Sequence, residues 1–86
     1  MSGTEPAHRI TMLGKSGCHL CDDALRVIER VAADLGVGYD VRDITESNRE
    51  ERDEYWEQIP VTFVDGQPHD FWRVSEKRLR AALERP

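Results

Sequence analysis

The chain has 86 residues, which suits one small domain, and its 17 acidic against 12 basic side chains give a formal net charge of −5 at pH 7. An acidic chain without a basic patch among its aromatic residues is not typical of a nucleic-acid-binding protein, so we expect no nucleic-acid partner. The apolar runs are a few residues long, whereas a membrane-spanning helix needs about 20 apolar residues and a signal peptide needs an apolar core, so we expect a cytoplasmic protein without membrane contact.

The N-terminal segment is rich in small and polar residues. We predict that residues 1–7 form a disordered tail and that residues 8–86 form a single domain. Residues 8–13, HRITML, are mostly apolar and predict a central strand. The two glycines of the GKSG that follows end this pattern.

A helix follows the first strand. From Cys18 to about Leu35 the apolar residues recur at gaps of three and four, which is the spacing of one helix face, and Gly36 predicts its C-terminal stop. Residues 37–43, VGYDVRD, alternate apolar and polar side chains and predict a strand with one buried face near a sheet edge. Strand, helix and strand together predict a parallel, right-handed βαβ unit.

Residues 45–58 are strongly charged and predict a short second helix. Ser47 and Glu50 have the spacing of a capping box at its start. We expect its charged residues to form a solvated face.

The last third of the chain predicts a hairpin and a helix. Residues 61–64, VTFV, have the β-branched and aromatic composition of a strand, and Asp65-Gly66 is a hairpin turn signal. Residues 69–72, HDFW, then return as an antiparallel strand. Residues 75–86 close the chain as a helix, with Ser75 as its N-cap.

The predicted element order is therefore β-α-β-α-β-β-α. A parallel pair followed by an antiparallel hairpin gives a mixed four-stranded sheet with helices packed on it, an α/β fold. Phe71 and Trp72, at the end of the hairpin, are candidates either to line a groove or to pack in the core, and we expect core packing.

The two cysteines of the chain, Cys18 and Cys21, lie at the start of the first predicted helix. The helix N-terminus favours a thiolate at Cys18, Lys15 adds to this effect, and Asp22 opposes it. Cys21 lies three residues further along, on the same helix face and one turn deeper. This spacing suits thiol–disulfide exchange, with Cys18 as the nucleophile and Cys21 as the resolving thiol.

Two other readings of the cysteine pair remain open at this point. A metal site needs about four ligands, and the candidates to join the cysteines are His8, His19 and His69. His19 lies between the cysteines, and nothing in the sequence places the other two histidines beside the helix start, so we predict no metal. Alternatively the cysteines are inert, and the domain is a non-catalytic binding module.

The complete pattern resembles the thioredoxin fold and, within it, the short glutaredoxin-like proteins of bacteria. CxxC opens the first helix, and IPVTFV, Ile59 to Val64, begins about forty residues later. The resemblance covers about His8 to Leu83. It implies a thioredoxin-like α/β fold and a dithiol–disulfide oxidoreductase that acts in electron transport and cell redox homeostasis.

The resemblance also implies a substrate site. It implies a cis Ile59–Pro60 bond that faces the CxxC, a backbone at Ile59 that binds a thiol peptide, and a contact between Lys15 and a glutathione carboxylate. We expect no bound cofactor, a monomer, protein or small-molecule disulfides as substrates, and glutathione, another low-molecular-weight thiol or a reductase as electron donor. The chain departs from glutaredoxins in its His19-Leu20 between the cysteines and in lacking a Gly-Gly after the hairpin.

Overall fold

The computed structural model describes residues 9–84, so the predicted tail over residues 1–7 lies outside the described residues. The described chain has the predicted order of strands and helices. The elements are β1 Ile10–Gly14, α1 His19–Leu35, β2 Tyr39–Asp43, α2 Arg49–Tyr55, β3 Val61–Val64, β4 Gln67–Phe71 and α3 Glu76–Glu84.

The strands form one mixed sheet in the order β2-β1-β3-β4. β1 runs parallel to β2 and antiparallel to β3, and β3 pairs with β4 as an antiparallel hairpin. The predicted α/β fold and the predicted edge position of the second strand are confirmed. Over residues 9–84, no helix combines the length and apolar character that crossing a membrane requires.

Side chains alternate between the two faces of the sheet along each strand, and apolar clusters cover both faces. On one face, α1 and α3 pack on Ile10 and Met12 of β1, and Leu79 of α3 is fully buried there. On the other face, Leu13 and Val61 form a second cluster with Ile44 and Ile59, against which Tyr55 of α2 packs in turn. The two clusters fix the ends of β1 and β3, where the candidate site lies.

The helix and hairpin signals are confirmed at their ends. Gly36 ends α1 in the left-handed region at φ 69°. Asp65 and Gly66 form the hairpin turn with φ of 51° and 84°. The Ser75 hydroxyl accepts a hydrogen bond from the Arg78 N–H at 3.2 Å and so caps α3 as predicted.

The prediction for residues 45–58 is wrong in detail. A single turn of 3-10 helix, Ile44–Glu46, comes first, because the Asp43 carboxylate accepts from the Thr45 N–H and Ile44 is fully buried. The N-cap of α2 is Asn48, not Ser47, and its side-chain oxygen accepts from the Glu51 N–H at 2.8 Å. The predicted capping box therefore does not form.

Candidate active site

Cys18 is the N-cap residue of α1 and is partly exposed. Its sulfur accepts a hydrogen bond from the Cys21 backbone N–H at 3.2 Å. Gly17 immediately before it has φ 75°, a conformation that L side chains rarely adopt, and this turns the chain into the helix. The sulfur thus receives one of the unpaired N–H groups at the positive end of a helix, an arrangement that stabilises negative charge.

Cys21 occupies the buried side of the same helical turn and is only 4% exposed. Burial raises its pKa to about 11, and a hydrogen bond to the Cys18 sulfur acts in the same direction, while a backbone hydrogen bond from Lys15 partly opposes both. The Cys21 thiol therefore keeps its proton at neutral pH. The two sulfurs therefore differ in exposure and in hydrogen bonding, as an attacking thiol differs from a second, sheltered thiol.

Gly14, the last residue of β1, packs closely against the Cys21 side chain. A Cβ built on Gly14 would lie 2.9 Å from Cys21 Sγ and 3.3 Å from Met12 Cε. The first glycine of GKSG thus provides space for the buried sulfur, whereas the second, Gly17, provides a backbone conformation.

The Ile59–Pro60 peptide bond is cis, as the resemblance implied. Pro60 is fully buried and Ile59 nearly so. The antiparallel pairing of Leu13 with Val61 continues toward Gly14 and Pro60, which brings the proline to the end of the sheet where the cysteines lie. Among residues 9–84, neither the N–H nor the C=O of Ile59 has a hydrogen-bond partner, so this edge is free to pair.

Lys15 lies in the loop between β1 and α1, and its ammonium is already engaged. Its Nζ stands 4.9 Å from the ring centroid of Trp56, a cation–π contact. On the side of α1 away from α3, a cavity of about 490 Å³ reaches Cys21 and is also lined by Lys15, Arg42 and Ser47. Lys15 is therefore near the cysteines, and its stacking on Trp56 directs it along the α2 side.

The expectation that Phe71 and Trp72 pack in the core is wrong. Trp72 is 54% exposed and Phe71 38% exposed. Trp72 has φ 64°, a conformation that is uncommon for a bulky residue. Its N–H donates to Pro60 O at 2.8 Å and to Gln58 O at 3.3 Å, so these hydrogen bonds carry the chain over the cis-proline loop instead of into the core.

A metal centre has little support among the described residues. Over residues 9–84, no three His, Cys, Asp or Glu side chains gather where they could hold one ion. His19 opens α1 between the cysteines, and His69 lies in β4 with a buried Nε2 that has no hydrogen-bond partner and stands 3.8 Å from Asp70 Oδ2. His8 lies outside the described residues.

Comparison with known proteins agrees with this fold. The sequence matches the family described as "Glutaredoxin-like domain (DUF836)" over residues 9–84. The chain belongs to this glutaredoxin-like family. An uncharacterized protein of Mycobacterium tuberculosis is 28% identical over 81 residues, which cover 90% of this chain and 84% of that protein.

Two solved structures are similar to the glutaredoxin-like chain in fold. A structural-genomics target protein from X. campestris has a TM-score of 0.70 at 24% identity and covers 90% of this chain and 99% of its own. A glutaredoxin from Archaeoglobus fulgidus has a TM-score of 0.60 at 22% identity and covers 91% of this chain and 88% of its own. At these identities the likeness supports the fold alone.

Proposed function

We propose that the protein is a thiol–disulfide oxidoreductase in which Cys18 is the nucleophile and Cys21 the resolving thiol. The observation that carries this proposal is the asymmetry of the two sulfurs. Cys18 is partly exposed and accepts the Cys21 N–H at the helix N-terminus, whereas Cys21 is buried and protonated. A glutaredoxin-like fold supports a redox role in general terms.

The proposed reaction has two exchange steps. The Cys18 thiolate attacks one sulfur of a substrate disulfide, forms a mixed disulfide and releases the other half of the substrate as a thiolate. Cys21 then loses its proton to solvent and attacks the Cys18 sulfur, which forms the Cys18–Cys21 disulfide and releases the second half. Two electrons pass from the protein to the substrate, and an external thiol or reductase must restore the dithiol.

Substrate positioning is assigned to the cis-proline edge. The unpaired N–H and C=O of Ile59 offer hydrogen bonds to an extended segment next to the reacting disulfide, and Pro60 fixes the shape of the edge. Lys15 contributes positive charge from the loop before Cys18. Protein disulfides and small-molecule disulfides are both substrates of this chemistry.

The donor and the cellular setting follow from the same chemistry. Glutathione, another low-molecular-weight thiol or a reductase reduces the Cys18–Cys21 disulfide, and the protein itself carries no cofactor. A reducing compartment such as the cytoplasm keeps both thiols reduced. One chain carries both cysteines and Pro60, so a monomer suffices for the reaction.

The test is intact-mass analysis with a mild oxidant, followed by a reduction assay. The wild-type protein should lose two hydrogens, and Cys21→Ser should instead form a mixed disulfide with an added thiol. Cys18→Ser is the matched control, because its remaining thiol is buried and should form neither product. The rate of disulfide turnover should then be measured with two donor systems, glutathione plus its reductase and thioredoxin reductase, and the two rates compared. A protein that retains its mass and turns over no disulfide with either donor is a binding module instead.

A further inference from the structure

We propose that Trp72 selects the substrate. Its exposed indole lies alongside the cis-proline loop that contains Ile59 and Pro60, and it favours a disulfide carried by an extended peptide with an apolar side chain next to the cysteine. This inference rests on the proposed function, because selection matters only if Cys18 exchanges with disulfides.

The Trp72 side chain is both exposed and fixed in place. Its Nε1–H donates to Glu57 O at 3.0 Å, and its backbone N–H donates to Pro60 O at 2.8 Å. These contacts join it to both sides of the cis-proline loop, yet more than half of its surface faces solvent. An aromatic residue held rigidly at a surface provides contact area at little cost in conformational entropy, and residues in strained backbone regions concentrate at functional sites.

The edge beside Trp72 suits a peptide backbone. The N–H and C=O of Ile59 lack partners among residues 9–84, and an extended peptide can pair with such an edge as an added strand. A peptide seated there runs past Pro60, whose carbonyl already holds Trp72. The side chain next to the substrate cysteine then meets the indole.

A cleft lined in part by Arg73 and Val74, the two residues that follow Trp72, has the size of one side chain. It measures about 220 Å³, below the roughly 300–1,000 Å³ of pockets that enclose a whole small molecule. Its apolar wall is formed by α1 and by the segment that follows Trp72. The lining residues are Leu20, Ala24, Val27, Val74, Asp23 and Arg73.

The experiment measures exchange between the reduced protein and two symmetrical peptide disulfides, acetyl-Ala-Cys-Leu-Ala-amide and its Ser analogue. The readout is the second-order rate constant for release of peptide thiol in a single turnover. Wild-type protein should favour the Leu peptide about tenfold, a common value for one apolar group in a pocket. In Trp72→Gly, the preference for the Leu peptide should fall to about twofold or less, because the indole that contacts the Leu side chain is absent.

Two further variants make the result specific. Glycine accepts φ 64° without strain, and Trp72→Asn, which also tolerates that region, is the second variant if Trp72→Gly unfolds below the assay temperature. Trp56→Ala is the matched control, since it removes another exposed indole and should retain the Leu preference.

The outcomes separate this proposal from the proposed function. Equal rates for the two peptides in wild type, a preference that survives both Trp72 variants, or its loss in Trp56→Ala would overturn the role of Trp72 while leaving the exchange activity established. Glutathione disulfide, which has no apolar side chain next to its cysteine, should react more slowly than the Leu peptide, and a faster reaction would overturn the assigned substrate class. No exchange with any disulfide would instead overturn the function itself.

Discussion

The sulfur of Cys21 lies directly against the backbone of Gly14. A side chain at Gly14 would place its Cβ 2.9 Å from Cys21 Sγ and 3.4 Å from Cys21 Cβ. The shorter distance is below van der Waals contact, so a side chain here must displace the buried thiol. The end of β1 therefore packs closely against the first turn of α1, and the absence of a side chain at Gly14 leaves room for the buried Cys21 sulfur.

Gly14→Ala should destabilise the protein and slow closure of the Cys18–Cys21 disulfide. Overpacking of this kind lowers the free energy of unfolding by about 1–3 kcal/mol, and a shift of Cys21 misaligns the second exchange step. Urea unfolding measures the first effect, and the rate of intramolecular disulfide formation measures the second.

The control for this prediction is the double variant Gly14→Ala/Cys21→Ala. Removal of the sulfur relieves the clash, so the two substitutions should be non-additive by about 0.5–3 kcal/mol in a double-mutant cycle. Strict additivity would show that the close contact with Cys21 is not the cause.

Alkylation of the folded protein near neutral pH should modify Cys18 alone. Burial raises the pKa of Cys21 to about 11, and only a thiolate reacts, whereas Cys18 is partly exposed. Iodoacetamide should therefore add one carbamidomethyl group, mapped to Cys18 by peptide mass, and a second only after unfolding in denaturant. Two adducts at similar rates in the folded state would contradict the asymmetry on which the proposed function depends.

The sequence predicts the helices and turns correctly where the local pattern and the long-range packing favour the same structure. The α1 face is a clear case: the gaps of three and four from Cys21 to Val31 predict the residues that the structure buries, and Gly36 ends the helix where expected. The Asp65-Gly66 turn is another, because its two residues tolerate the positive φ that a tight hairpin requires.

Other features depend on packing that the sequence pattern does not carry. A large aromatic residue such as Trp72 is expected in the core. Hydrogen bonds to the cis-proline loop instead hold it at a positive φ, a conformation more typical of glycine or asparagine. Val41 alternates correctly for a buried position but is 49% exposed, because it lies on the edge strand beside the cavity that reaches Cys21. Ser47 was a plausible cap, and the buried Ile44 moves the helix start past it.

Substitutions at Asp65 should separate backbone preference from ion pairing. Asp65 has φ 51° and pairs with Arg9 through two hydrogen bonds of 2.9 and 2.7 Å. That pairing lowers the pKa of the Asp65 carboxyl. Asp65→Asn keeps a residue that tolerates the turn, so it should cost no more than about 1 kcal/mol, the usual value of an exposed ion pair.

Asp65→Ala loses the pair and also places a poorly suited residue at positive φ, so it should cost more than Asp65→Asn. Urea unfolding of both variants at one pH gives the order. Equal costs would mean that the turn conformation contributes nothing, and a larger cost for Asp65→Asn would contradict the role given to the positive φ, because both variants lose the ion pair.

His69 should make the protein less stable as the pH falls through the mildly acidic range. Burial lowers the pKa of His69 below its usual 6.5, Arg78 acts in the same direction, and Asp70 opposes them. The folded state therefore resists protonation, while the unfolded chain takes up a proton as the pH falls past that value. The stabilising effect is complete above pH 6.5 and is lost progressively below it.

Urea unfolding between about pH 8 and pH 5.5, above the range in which most carboxylates titrate, should show the free energy of unfolding decreasing toward acid. In His69→Leu the decrease should be smaller, because this variant has no imidazole to protonate and removes a buried Nε2 that has no hydrogen-bond partner. Asp43, Asp65 and Glu76 have lowered pKa values and remain charged over that range. An identical pH dependence in wild type and variant would show that His69 is freely protonated in the folded protein.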